Sequence, residues 1–256
     1  MKQSITLTVL DTVDSTNAYA KRLAEDGAPE GTAVLARSQT AGRGRLDRRF
    51  ASPRGGVYLS VILRPRAAAY DATAVTIESA VAAAEAIEAA VRGAGGEISV
   101  GIKWVNDLYA GGRKLAGILC EGALAPEGGR LSYAVVGIGI NLLSGLLPPE
   151  LDKIATTVED EAGVRLHPEE LARAVAAGIV YRAAAVSEGK IPGIGEYRRR
   201  QILFSRTVSV TRGGEQFSAR PLDVTDRGEL VVQLDDGRRE VLSAAEVTLH
   251  GSIADA

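Results

Sequence analysis

Residues 98–140 read ISVGIKWVNDLYAGGRKLAGILCEGALAPEGGRLSYAVVGIGI, and their texture decides the fold. Apolar and polar positions alternate over 98–102, 108–109, 115–124 and 132–140, with glycine-bearing turns between the runs, so the middle of the chain is predicted to form hairpin-connected strands. On the N-terminal side, MKQSITLTVLDTVD alternates in the same way and reads as a strand, not as the continuous apolar run of a signal peptide. A helix is predicted over 15–26, with Ser15 or Thr16 as N-cap and Gly27 with Pro29 as the stop. Strands follow at 32–37 and 57–63, and an Ala-rich helix at 73–91 ends at the glycines near 93–96.

Beyond residue 140 the spacing of Leu171, Val175 and Ile179 predicts a helix over 167–186, and a shorter one is predicted over 192–201. From Arg206 onward the texture changes. Short strands at 207–211, 216–224, 229–234 and 239–242, joined by RGGE, TDRG and LDDGR turns, predict a small β-barrel or β-sheet module. The expected architecture is therefore α+β, a mixed or antiparallel sheet with helices on one side in residues 1–202, then a β module in 203–256.

The 256 residues are 46% hydrophobic and 24% charged, the composition of a folded globular chain. At this mass folding buries about 72% of the surface of the open chain, enough for one large core with a satellite. The net charge of −2 gives no broad affinity for nucleic acid or anionic membrane, so any polyanion must meet a local patch. No run approaches the length of a membrane span. One cysteine, Cys120, excludes an internal disulfide, two histidines exclude a His-rich metal site, and a cytoplasmic location is the default expectation.

Four clusters carry chemistry. The loop 38–56 holds four glycines and five arginines. Glycines let backbone approach a ligand, and guanidinium groups such as those of Arg43, Arg45 and Arg48 bind phosphate or carboxylate through paired donors. The same loop also reads as a basic surface turn. The second cluster, within 103–122, contains two of only six lysines, Lys103 and Lys114, in a chain with 24 arginines, and it sets Trp104 beside Asn106 and Asp107. That mixture suits a purine, its hydroxyls or a cation, and it equally suits a hairpin with a core tryptophan. DSTN, residues 14–17, supplies a helix cap or a ligand site. VVGIGIN, residues 135–141, places glycines where a ligand or a neighbouring strand comes close.

Taken in this order, DSTN, QTAGRGR, KWVNDL with RKLAGIL, and GIGINL resemble the biotin–protein ligases over about residues 9–250. The resemblance implies a class II synthetase-like catalytic fold and a C-terminal SH3-like barrel. It implies an enzyme of the monofunctional type that joins biotin to ATP with Mg²⁺, forms biotinyl-5′-AMP and transfers biotin to a lysine of a biotin carboxyl carrier domain. By position it assigns catalysis to Lys114, Arg45, Lys103 and Asp107, with Asp107 meeting either Mg²⁺ or the incoming lysine. Biotin would fall to Ser15, Thr16, Asn17, Gln39, Gly42, Arg43, Gly44 and Gly117. The adenylate would fall to Arg45, Arg48, Phe50, Trp104, Asn106, Lys114 and Asn141. Three positions depart from the family pattern: Asp47 for glycine, Phe50 for tryptophan and Val105 for proline.

The competing readings are a lipoate or octanoate ligase of the same superfamily, a DNA-binding biotin-sensing regulator, and an RNA-binding module built on Arg198–Arg200 and the β module. Only 13 residues precede Asp14, too few for a helix-turn-helix domain, so no DNA partner is expected, and the lack of a long apolar run makes no membrane partner expected either. A homodimer is compatible with the sequence.

Overall fold

The computed structural model describes residues 4–45, 48–64, 72–124, 131–186, 191–204, 206–212, 215–243 and 248–250. The elements run β1 (Thr6–Val13), α1 (Thr16–Glu25), β2 (Thr32–Gln39), β3 (Val57–Leu63), α2 (Ala72–Gly93), β4 (Gly101–Lys103), β5 (Asp107–Ala110), β6 (Arg113–Leu124), β7 (Leu131–Ile140), α3 (Val158–Ala162), α4 (Pro168–Ala183) and α5 (Ile194–Arg199). Five strands follow: β8 (Val208–Arg212), β9 (Glu215–Val224), β10 (Leu230–Leu234), β11 (Arg239–Leu242) and β12 (Thr248–His250).

The first seven strands form one sheet in the order β1-β2-β3-β7-β6-β5-β4. Only β1 and β2 run parallel, so the sheet is mixed as expected. The long helices α2 and α4 pack together on one face over the large core of Leu35, Leu59, Val61, Val136 and Ile138. Helix α1 corrects the expectation of helices on one side: it lies on the opposite face, where Ala20 and Ala24 meet Val34, Ile62 and Val135 in a second, smaller core. Strand β3 is buried at every position, which requires a cover on both faces.

Local chemistry accounts for the boundaries. The Ser15 hydroxyl accepts from Ala18 N–H at 3.4 Å, capping α1, and Pro168 opens α4 at its first turn. Strand pairing begins at Gly101, not at Ile98, because the N–H of Val100 goes to the Glu88 carboxylate. Helix α3 was not foreseen; its five residues are too few for a periodic signal, and its cap, Thr157, accepts from Asp160 N–H.

The C-terminal strands form a separate antiparallel sheet, β11-β10-β9-β8-β12. It leans on the first unit through its TDRG turn. Arg198 of α5 donates to Val224 O at 2.6 Å and pairs with Asp226 at 2.7 Å. Arg199 pairs with Glu196, and Arg200 with both Glu88 and Glu196. The run Arg198–Arg200 is thus ion-paired along its length, which removes it as a basic nucleic-acid patch.

Candidate active site

Strand β7 turns alternate residues to opposite faces. Val136, Ile138 and Ile140 enter the large core, whereas Gly137 and Gly139 open toward the α1 side. A Cβ at 137 would fall 2.7 Å from Asn17 Cγ, and one at 139 would fall 2.7 Å from Phe50 Cζ. The glycines therefore hollow out a floor, and a cleft of about 200 Å³ lies over it between the start of α1, the 43–50 turn and the β4–β6 hairpins.

One end of the cleft is neutral and polar. Gln39 Oε1 accepts from Thr16 N–H at 2.8 Å and from Thr16 Oγ1 at 3.1 Å, while its Nε2 donates to Ser52 Oγ. Ser60 Oγ reaches Thr16 Oγ1 at 2.8 Å and Asn17 Oδ1 at 2.6 Å. Ser15, Thr16 and Asn17 are all nearly buried, so their hydroxyl and amide groups are held in place before any ligand arrives.

The other end is cationic. Arg43, Arg45, Arg48, Arg49, Lys103 and Lys114 line the cleft with a single acid, Asp107, among the described residues. Lys114 Nζ lies 2.8 Å from Asp107 Oδ1, and Arg45 donates to Asn106 Oδ1 at 3.2 Å. Burial, only partly offset by Asp107, pulls the pKa values of Arg45 and Lys103 below their ordinary range; Lys114 and Arg48 add to the lowering at Lys103, and Arg48 adds to that at Arg45. Within a chain of net charge −2 this is the local patch a polyanion needs.

Most sequence-predicted residues converge here: Ser15, Thr16, Asn17, Gln39, Arg43, Gly44, Arg45, Arg48, Phe50, Lys103, Trp104, Asn106, Asp107, Lys114 and Gly117 all line the cleft. Two do not. Gly42 sits behind it, where a Cβ would run into Phe50 O and Ser52 Oγ. Asn141 ties β7 to its neighbours, taking Leu115 O with its backbone N–H and giving its own carbonyl to Val158 N–H. Asp47 lies outside the described residues. Trp104 is buried at 4% exposure and donates its indole N–H to Gly228 O at 2.8 Å, so it is chiefly a strut between the two units. The Trp104–Val105 peptide is cis, and Val105 packs in the core.

The described residues on either side of Asp47 pair with each other: Gly44 N–H donates to Arg48 O, and Phe50 N–H to Gly42 O. Sequence reasoning missed Glu121, which faces the cleft edge from β6 and pairs with Lys21 and Arg43. A single acid inside a strand gives no signal of its own in the sequence.

A mixed sheet with a cation-lined, glycine-floored cleft and an appended antiparallel module suits an enzyme that handles anionic substrates. Family models agree. Residues 9–141 match the biotin/lipoate A/B protein ligase family, and residues 205–249 match the biotin protein ligase C-terminal domain. The chain belongs to the biotin/lipoate A/B protein ligase family. It is 34% identical over 248 residues to the bifunctional ligase/repressor BirA of Bacillus spizizenii, covering 91% of this chain and 71% of that protein. It is 31% identical to the biotin–[acetyl-CoA-carboxylase] ligase of Paracoccus denitrificans, covering 95% of this chain and 100% of that one. The biotin protein ligase of Aquifex aeolicus, solved in complex with biotin and ATP, superposes with a TM-score of 0.80 at 26% identity, over 96% of this chain and 99% of that one.

Proposed function

We propose that this chain is an ATP-dependent biotin–protein ligase that makes biotinyl-5′-AMP and passes biotin to a lysine of a carboxyl carrier domain. The observation that carries the reading is one cleft with a neutral, hydrogen-bonding end and a cationic end. A ureido ring suits the first, set among Ser15, Thr16, Asn17 and Gln39; a carboxylate and a triphosphate suit the second.

In the first step a carboxylate oxygen of biotin bonds to the α-phosphorus, the bond to the β-phosphate bridge breaks, and pyrophosphate leaves with the electron pair. Arg45, Lys103 and Lys114 lower the repulsion between the two anions and stabilise the charge that grows on the phosphoryl oxygens. In the second step the acceptor amine bonds to the acyl carbon, the acyl–oxygen bond breaks, and AMP leaves. Asp107, beside Lys114, stands where it could take the amine proton. Phe50, whose ring lies over Gly139, offers a face to adenine, and Asn106 a polar group to the nucleotide.

No group of three His, Cys, Asp or Glu able to hold a metal occurs among the described residues. Mg²⁺ fits this site as an ion carried on the phosphates, with Asp107 as the protein oxygen within reach, and it would add charge neutralisation. Residues 1–202 form the catalytic unit and 203–256 the SH3-like module on this reading. The enzyme acts in the cytoplasm, without DNA, and a homodimer is compatible with it; no described helix is long and apolar enough to cross a membrane.

The test is direct. Purified protein with ATP and Mg²⁺ should release pyrophosphate with biotin and then label a carrier domain. Release with lipoate and not with biotin would overturn the assignment.

A further inference from the structure

Glu121 gathers donors from three elements. Lys21 Nζ of α1 lies 2.6 Å from Oε1, Asn17 Nδ2 lies 2.8 Å from Oε2, and an Arg43 guanidinium nitrogen of the glycine–arginine turn lies 3.2 Å from Oε2. Burial alone would raise the carboxyl, but the hydrogen bonds from Lys21 and Asn17 and the charges of Lys21 and Arg43 outweigh it, and the net displacement is downward. The group is a carboxylate at neutral pH, able only to accept.

That acceptor decides which way Asn17 points. The two ends of an amide have nearly the same shape and opposite hydrogen-bonding character. Leu119 O, at 3.3 Å, and Glu121 both face the nitrogen; Ser60 Oγ faces the oxygen at 2.6 Å, beneath Gly137. An amide oxygen has two lone pairs, and Ser60 takes one. Asn17 lines the cleft, and the other lone pair is the one a ligand N–H there would take.

Resting on the biotin reading above, we propose that Glu121 is a positioning residue for the head group of the acid substrate: it presents the Asn17 oxygen to a ring N–H and draws Arg43 over the mouth of the cleft. It bonds to Asn17 of the neutral end and to Arg43, and no bond joins it to Asp107 or Lys114, so its influence falls on capture of the acid, not on the chemical step. It also makes N–H-bearing rings the preferred class, since a ring without N–H gains nothing from an oriented oxygen.

Biotin-dependent exchange of pyrophosphate into ATP, measured on the full chain, separates the possibilities. Glu121→Gln should raise KM for biotin tenfold or more, with kcat and KM for ATP within threefold of the unaltered protein. Lys21→Met, which acts on the cleft through Glu121, should raise the same KM two- to fivefold, and the double variant should be no worse than Glu121→Gln alone. A KM for biotin within twofold of the unaltered value in Glu121→Gln would overturn the proposal, as would a fall confined to kcat. Should Glu121→Gln fail to fold, Lys21→Met decides alone, and an unchanged KM for biotin overturns it. Absence of biotin-dependent exchange in the unaltered protein would instead strike at the ligase reading itself.

Discussion

Replacing Lys114 with alanine separates a catalytic cation from a structural one. In the folded protein its ammonium lies 2.8 Å from Asp107, and the two side chains are 32% and 22% exposed. A partly exposed pair of this kind contributes roughly 0.5–1 kcal/mol to stability. For a chain of this size that is a fall in Tm of about 1–4 °C. The rate effect is of another order. Two unit charges 4 Å apart interact by about 4 kcal/mol at an effective dielectric of 20, the range also lost when one preorganised group is removed from a transition state. Lys114→Ala should therefore slow biotin-dependent pyrophosphate release several hundredfold or more while the melting transition stays cooperative. Single-turnover assays at saturating biotin and ATP read the chemical step free of binding. A rate within tenfold of the unaltered enzyme, from folded protein, would refute the assignment of Lys114 to the reacting phosphate.

Gly137→Ala places a methyl group against Asn17; affinity for biotin by calorimetry should fall at least tenfold, and unchanged affinity would show that the floor of the cleft is not where biotin sits. Trp104→Phe removes the indole donor to Gly228 O, a buried hydrogen bond worth about 1–2 kcal/mol, so Tm by differential scanning calorimetry should drop by about 2–8 °C. Glu121, Glu88 and Glu196 all have folded pKa values below the 4.5 of a free glutamate, so each stabilises the fold above that value and ceases to as pH falls through the lowered folded pKa. Denaturation midpoints should accordingly be flat from pH 7 to 5 on account of these groups and decline below pH 4.5, and the stability difference between the unaltered protein and Glu121→Gln should shrink over that same acid range.

The strands of the middle third were legible because period-two alternation and glycine turns speak locally. So were α2 and α4, whose Ala, Leu, Val and Ile positions recur at helical spacing. What remained hidden depends on long-range placement. Nothing in TNAYAKRLAE tells which face of the sheet will receive it, and the double-sided burial of β3 emerges only once its neighbours are paired. The cleft was legible where residue types are scarce, as at Lys103 and Lys114, or grouped, as in the 43–49 arginines. It was only half legible where one residue has two uses: Trp104 lines the cleft, and its indole N–H is also spent on Gly228 O, more than a hundred residues away. Asn141 likewise sits at the end of a glycine-bearing strand and serves the backbone of α3.

The unequal cores on the two faces have a consequence for hydrogen exchange. Helix α2 is covered along most of its length by the large cluster, so its amides exchange only through near-global opening. Helix α1 is anchored on its own face by Ala20 and Ala24 against four other buried residues, Val34, Ile62, Tyr133 and Val135. That core is smaller than the one over α2, so local detachment of α1 should cost less than exposure of α2. Ser15, Thr16 and Asn17 ride on that helix. A ligand bonded to them closes the excursion, so α1 becomes protected in step with site occupancy while α2 exchanges as before.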